Sequence, residues 1–165
     1  YILGLEKENP APANKAYYKT FSSAMQRAIT SYCQSGGNLF VSGAYVGSDM
    51  SETQGNREFT ERILKYGYQG SLTDKTSNRI NGLGRAITIP RTPNENSYAV
   101  PAPDCIMPTD TAIPVFTYAP DNQSAGIAYK GNYRTFVLGF PFESIQSEAD
   151  RAAIMTSILG FFTQK

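Results

Sequence analysis

The sequence contains no histidine. That absence excludes Ser-His and Cys-His nucleophilic catalysis and histidine-ligated metal chemistry within this chain. Cysteine is scarce: Cys33 and Cys105 are the only two, too few to hold zinc alone. Cys33 falls on the apolar side of a predicted helix and Cys105 in a proline-rich stretch. Buried free thiols are one reading and a disulfide is the other, because Cα separation decides and sequence does not report it. An excess of one charge is also lacking. With 15 Lys and Arg against 14 Asp and Glu, the net charge is +1, which gives no reason to expect nucleic acid or an anionic membrane surface as a partner. No apolar run approaches the roughly 18 residues of a membrane-spanning helix. Internal repeats, low-complexity tracts and a clear linker are all missing. The chain opens on Tyr1 rather than Met, with no signal peptide, and so reads as a mature product or a fragment of a longer chain, whose address is not written here.

What is present is the composition of an ordinary globular domain, 41% hydrophobic and 18% charged. A chain of 165 residues is expected to form one domain, 1–165, that buries roughly 70% of its unfolded surface.

The strongest pattern lies between Tyr133 and Phe162. Thr135 to Gly139 is an apolar run of the kind that forms a strand buried on both faces, and Gly139 with Pro141 ends it. Ser147 follows as an N-cap, with Glu148 and Asp150 in the first turn, where acidic groups suit the helix dipole. Ile154, Met155, Ile158, Leu159 and Phe162 then mark one broad apolar face. A strand feeding a helix through a tight turn is an α/β unit, and its Gly139–Ile145 turn sits where open α/β sheets place their sites.

Earlier elements follow the same rules. Tyr1 to Leu5 reads as the tail of a strand, and Lys7 to Lys19, with Pro10 and Pro12, as a loop. Thr20 or Ser22 caps a first helix that carries Phe21, Met25, Ala28, Ile29, Tyr32 and Cys33 on one face and stops at Gly36-Gly37. Asn38 to Gly43 is a second buried strand and leads into a small-residue loop, Ala44 to Ser51. A helix is predicted over about Asn56 to Tyr66, with Phe59, Ile63, Leu64 and Tyr66 inward, and a strand over Tyr68 to Leu72. Seven of the ten prolines lie between Pro90 and Pro120, which argues against helix there. Arg85 to Ile89, Tyr98 to Val100 and Asp104 to Ile106 read as extended pieces. Ala112 to Tyr118 is a strand that Pro114 places at an edge or shortens to begin at Val115. Asp121 to Ser124 is a turn. Lys130-Gly131-Asn132 joins two strands as a hairpin.

Two stretches carry a resemblance. Gly36-Gly-Asn-Leu-Phe-Val-Ser-Gly-Ala-Tyr-Val-Gly-Ser-Asp49 resembles the strand and nucleophile elbow of class I glutamine amidotransferase-like domains. Phe136-Val-Leu-Gly-Phe-Pro-Phe-Glu143 resembles their later strand, which ends in Phe-His-Pro-Glu in active members. Both stretches, with Arg151, are also similar to secreted bacterial proteins that carry the name xanthan lyase. The resemblance implies a three-layer α/β sandwich, flavodoxin-like and amidotransferase-like, with helices on both faces and a β-rich, proline-rich insertion at about 68–111.

Position by position, the amidotransferase chemistry is incomplete. Ser42, Gly43 and Ala44 stand where the cysteine belongs and Pro141 where the histidine belongs; only the acid, Glu143, is kept. The resemblance therefore implies a catalytically silent scaffold or binding domain of a secreted or periplasmic, carbohydrate-related protein. Its partners would be polysaccharide or other domains of the parent protein, with no nucleic acid, no membrane span and no cofactor. The alternative is a polysaccharide-active lyase with a remodelled site. Its catalytic candidates are Glu143, Tyr45 and Asp49, with Ser42, Gly43 and Ser48 binding ligand and Arg134 or Arg151 neutralising a substrate carboxylate.

Each candidate also has a structural reading. Glu143 could accept bonds from backbone N–H groups of the turn or the elbow. Ser48, Asp49 and Glu52 could solvate the loop and cap the next helix, or Asp49 and Glu52 could meet a calcium ion. Phe140 and Phe142 are packing residues or a sugar platform. Tyrosines such as Tyr17, Tyr18, Tyr45, Tyr66, Tyr68, Tyr98 and Tyr118 suit sugar stacking or sheet edges. Asn122-Gln-Ser124 matches a glycosylation acceptor and also a plain turn.

Overall fold

The computed structural model describes residues 2–4, 19–74, 77–93, 98–119 and 121–164. Most of the loop expected over Lys7 to Lys19, with Tyr17 and Tyr18, lies outside them. Its strands are β1 (Ile2–Gly4), β2 (Asn38–Ser42), β3 (Tyr66–Ser71), β4 (Arg79–Gly82), β5 (Arg85–Thr88), β6 (Asp104–Pro108), β7 (Ile113–Tyr118), β8 (Ser124–Lys130) and β9 (Arg134–Leu138). The α-helices are α1 (Ser23–Gln34), α2 (Gln54–Phe59) and α3 (Glu148–Thr163). Seven strands form one mixed sheet in the order β1-β2-β9-β8-β7-β4-β5, and β3 pairs with β6 in a second, two-stranded sheet.

Local chemistry explains the elements that were legible. Ser22 caps α1 by accepting the Met25 N–H at 3.3 Å, and Ser147 caps α3 by accepting that of Asp150 at 3.2 Å. In β2, Leu39 and Val41 point to one face of the sheet and Phe40 to the other, as the two-residue period of a strand requires. One face packs Leu39, Val41, Val137 and Ile127 against Ile29 and Cys33 of α1, Phe59 of α2 and the tyrosine of Tyr66. The opposite face packs Phe40, Phe136, Phe116 and Ile80 against Ile154 and Ile158 of α3.

The flavodoxin-like three-layer sandwich is not what this chain forms. The structure is mostly a curled mixed sheet, a half-barrel, with 32% of the described residues helical. Only β1, β2 and β9 run parallel; every other pairing in the large sheet is antiparallel. Antiparallel neighbours connect through hairpins and need no crossover helix, so among the described residues the sheet carries few helices, α1 and α2 on one face and α3 on the other. The stretch at about 68–111, expected as an insertion, instead supplies β4 and β5 to the main sheet and β6 to the small one.

Smaller corrections have local causes. Residues 60–64 form a π-helical turn after α2, and Lys65, at φ 71°, ends it; Tyr66 then opens β3 instead of closing the helix. Pro114 sits within β7, yet β4 pairs only with Phe116 to Tyr118. The proline therefore lies beyond the end of that neighbour, where its missing N–H costs no ladder bond. Leu159, expected on the inward face of α3, is 55% exposed. Ala28 and Tyr32 of α1 are exposed as well.

Candidate functional site

The candidate elbow begins where β2 ends. Gly43 N–H donates to the Leu138 carbonyl at 3.3 Å, holding the start of the loop against the end of β9. The buried hydroxyl of Ser42 accepts the Phe142 N–H at 3.3 Å. The elbow and the Pro141–Glu143 turn are thus stitched together, as the two motif stretches suggested. Tyr45 is half-buried and packs against the core cluster that contains Phe40 and Phe136; its carbonyl accepts from the Thr20 hydroxyl at 3.4 Å.

Glu143 lies in a short 3-10 turn, Phe142–Ser144, and its side chain is exposed. Its carboxylate accepts a 2.6 Å bond from the Tyr98 hydroxyl. Two backbone N–H groups of the elbow loop, those of Gly47 and Ser48, go to a different acid, Asp104 at the start of β6. Asp104 is fully buried. Its Oδ2 accepts from Gly47 N at 2.7 Å and Ser48 N at 3.0 Å, and its Oδ1 accepts from the Ser71 hydroxyl at 3.2 Å. Ser71 in turn meets the Tyr68 hydroxyl at 2.8 Å. Burial pushes the Asp104 carboxyl up to about 6, against the pull of the Ser48, Gly47 and Ser71 hydrogen bonds. The groups close enough to feel its charge include the buried Tyr66 and Tyr118 hydroxyls and the Cys105 thiol, all three pushed up by burial.

Close packing keeps Asp104 in place. Its N–H donates to the Gly139 carbonyl at 2.7 Å, and its carbonyl accepts from Tyr118 Oη at 2.9 Å. A Cβ on Gly139 would stand 2.1 Å from the Asp104 carbonyl oxygen, so this approach of two backbones requires glycine. Sequence reasoning missed Asp104. The signal available was an acid opening a short apolar strand in a region otherwise poor in pattern.

Asp49, also buried, has different partners. Its Oδ2 accepts from Thr20 N at 2.7 Å, and its Oδ1 pairs with Lys19 at 3.2 Å. Burial acts to raise this carboxyl, but the Thr20 and Lys19 contacts outweigh it and hold it below the ordinary value. Lys19 also pairs with Glu52, the other acid considered for calcium. Thr53, not Ser48 or Asp49, caps α2, accepting from Asn56 N at 3.3 Å. Arg134 donates to the carbonyls of Phe162 (2.9 Å) and Gln164, closing the C-terminal end of α3; Arg151 donates to the carbonyls of Ile145 and Gln146. Phe140 is a core residue, and Phe142 packs edge-on to Phe40 at 5.7 Å. Cys33 and Cys105 are buried free thiols, each pushed up to about 11 by burial. Among the described residues, no three His, Cys, Asp or Glu side chains converge as a metal site.

No family model and no curated protein matches this chain. Solved structures do match in fold. An exo-β-1,4-mannosidase, Op5Man5 from Opitutaceae bacterium strain TAV5, superposes with a TM-score of 0.52 at 12% identity, over 86% of this chain and 23% of its own. A β-galactosidase from Rahnella sp. R3 gives 0.52 at 16% identity, over 84% and 20%. The mmIFT52 N-terminal domain gives 0.57 at 15% identity, over 88% and 73%. This chain therefore spans under a quarter of the length of the two glycosidases it matches. At such identities the likeness is one of fold alone.

None of the three is an amidotransferase or a xanthan lyase. The β-rich fold overturns the flavodoxin-like, α/β-sandwich description drawn from the two motif stretches, and no comparison supports the xanthan lyase-like, secreted or polysaccharide-related one. No helix among the described residues is long and apolar enough to cross a membrane.

Proposed function

We propose that this chain is a catalytically silent scaffold domain within a larger protein. One observation carries the reading: the buried acids of the elbow region are already committed to the fold. Asp104 accepts from the backbone of the loop it holds, and Asp49 is bound to Thr20 and Lys19. A general base must reach a substrate proton, and a nucleophile needs such a base beside it. Ser42, the hydroxyl at the cysteine position, instead accepts a backbone N–H. The replacements at the motif positions agree, with Ser42, Gly43 and Ala44 for the thiol and Pro141 for the imidazole.

The test is turnover by the purified chain, screened for glutamine hydrolysis and for glycoside cleavage, beside Glu143→Gln. Silence of both proteins is the expected result. Turnover that disappears in Glu143→Gln would overturn the scaffold reading and make the exposed Tyr98–Glu143 pair the centre of an active site.

A further inference from the structure

A groove of about 580 Å³ lies between α1 and the α2–π-turn segment. Its size is in the range of ligand-binding clefts. One wall is a single face of α1, carrying Gln26, Arg27, Thr30 and Ser31; the other carries Glu58, Phe59, Arg62 and Ile63. The walls are held in register. Gln26 Nε2 donates to Asn56 Oδ1 at 2.9 Å, and the Phe21 and Phe59 rings meet at 5.5 Å. Arg62 and Ile63 sit on the π-helical turn Thr60–Leu64, a rare geometry that often marks functional positions.

The charges in this groove are uneven. Arg27 and Arg62 are exposed, and among the described residues neither guanidinium makes an ion pair or side-chain hydrogen bond. Glu58, the one acid between the walls, takes its hydrogen bond from Gln54 at 3.0 Å. Two exposed guanidinium forks thus line the same groove as Ile63 and the edge of the buried Phe59. A carboxylate suits such a fork in a two-point contact. The groove is open and runs along two helices, which fits an extended chain better than a compact small molecule.

We infer that the α1–α2 groove binds an acidic, partly apolar peptide segment of a partner protein, its carboxylates on Arg27 and Arg62 and an apolar side chain on Phe59 and Ile63. This inference goes beyond the scaffold reading and does not depend on it, because the groove shares no residue with the elbow.

The probe is a short fluorescein-labelled peptide of alternating glutamate and leucine, followed by fluorescence polarisation with the whole chain. Wild type is expected to bind, more weakly as salt rises. Arg27→Glu with Arg62→Glu should weaken binding by about tenfold or more, and the glutamine version of the peptide should lose binding similarly. Arg79→Glu, on β4 and outside the groove, should bind as wild type does. Circular dichroism of the double variant is expected to match wild type, since both arginines are on the surface. Amide NMR shifts on peptide addition should fall on α1 and residues 54–64. Absence of wild-type binding, full binding by the double variant, or shifts confined to another face would each overturn the inference.

Discussion

Replacing Asp104 by asparagine should remove a pH dependence of stability that follows from the burial of this carboxyl. The group titrates near 3.8 when unfolded and near 6 when folded. Its folded value is raised, so the native state binds the proton more tightly, and stability is lost as pH rises through this window. At about 1.4 kcal/mol per pKa unit, the shift corresponds to about 3 kcal/mol between pH 4 and pH 7. Asparagine can reproduce the geometry without charge. Its carbonyl can accept from Gly47 and Ser48, and its amide can donate to the Ser71 hydroxyl. The assay is urea unfolding of wild type and Asp104→Asn across this pH range. Subtracting one curve from the other cancels the other titrating groups. The difference should move by about 3 kcal/mol in favour of the variant as pH rises, or about 6 to 12 °C in Tm for a domain of this size. A difference that is flat with pH, or that moves in favour of wild type, would refute the reasoning. It would mean that the three hydrogen bonds, not burial, govern this carboxyl.

Three further outcomes follow from the packing. Gly139→Ala should destabilise by about 1 to 3 kcal/mol, read as a drop in Tm, because its Cβ would meet the Asp104 carbonyl oxygen at 2.1 Å. Ile158→Ala should cost about 2 to 5 kcal/mol and Leu159→Ala no more than about 0.5 kcal/mol; equal losses in urea unfolding would contradict the burial of one and the exposure of the other. Ser147→Ala should cost about 1 kcal/mol through loss of the α3 cap, and unchanged stability would show that the 3.2 Å bond to Asp150 N contributes nothing.

The difference between what was legible and what was not runs along sequence distance. Ser22 and Ser147 act on amides three residues away, and the β8–β9 hairpin closes across Lys130 and Arg134. Such short-range contacts leave their mark in composition and spacing. Asp104 acts on amides 57 and 56 positions away, and nothing in its own neighbourhood marks it. The motif pattern assigns the acid that ties down the elbow to Glu143, whose carboxylate meets Tyr98 instead. Leu159 shows the same limit within a helix. Almost every turn of α3 is apolar, so periodicity could not separate the buried Ile158 from its exposed neighbour.

By itself, the sequence settled the chemistry this chain cannot perform, since a chain without histidine has no imidazole base or ligand to offer. It also settled the main local elements: two apolar strands, capped helices and a hairpin, each set by contacts within a few residues. The tertiary structure decided how the strands associate. Whether extended pieces between residues 66 and 118 extend the main sheet or stand apart depends on pairings between distant backbones. Backbone amides and carbonyls are the same at every residue, so side-chain identity does not announce those partners. Burial decided the rest: the same carboxylate chemistry gives a solvent-facing Glu143, an Asp49 held low by Thr20 and Lys19 and an Asp104 pushed up to about 6, because desolvation and hydrogen bonds come from the surroundings of a residue and not from its type.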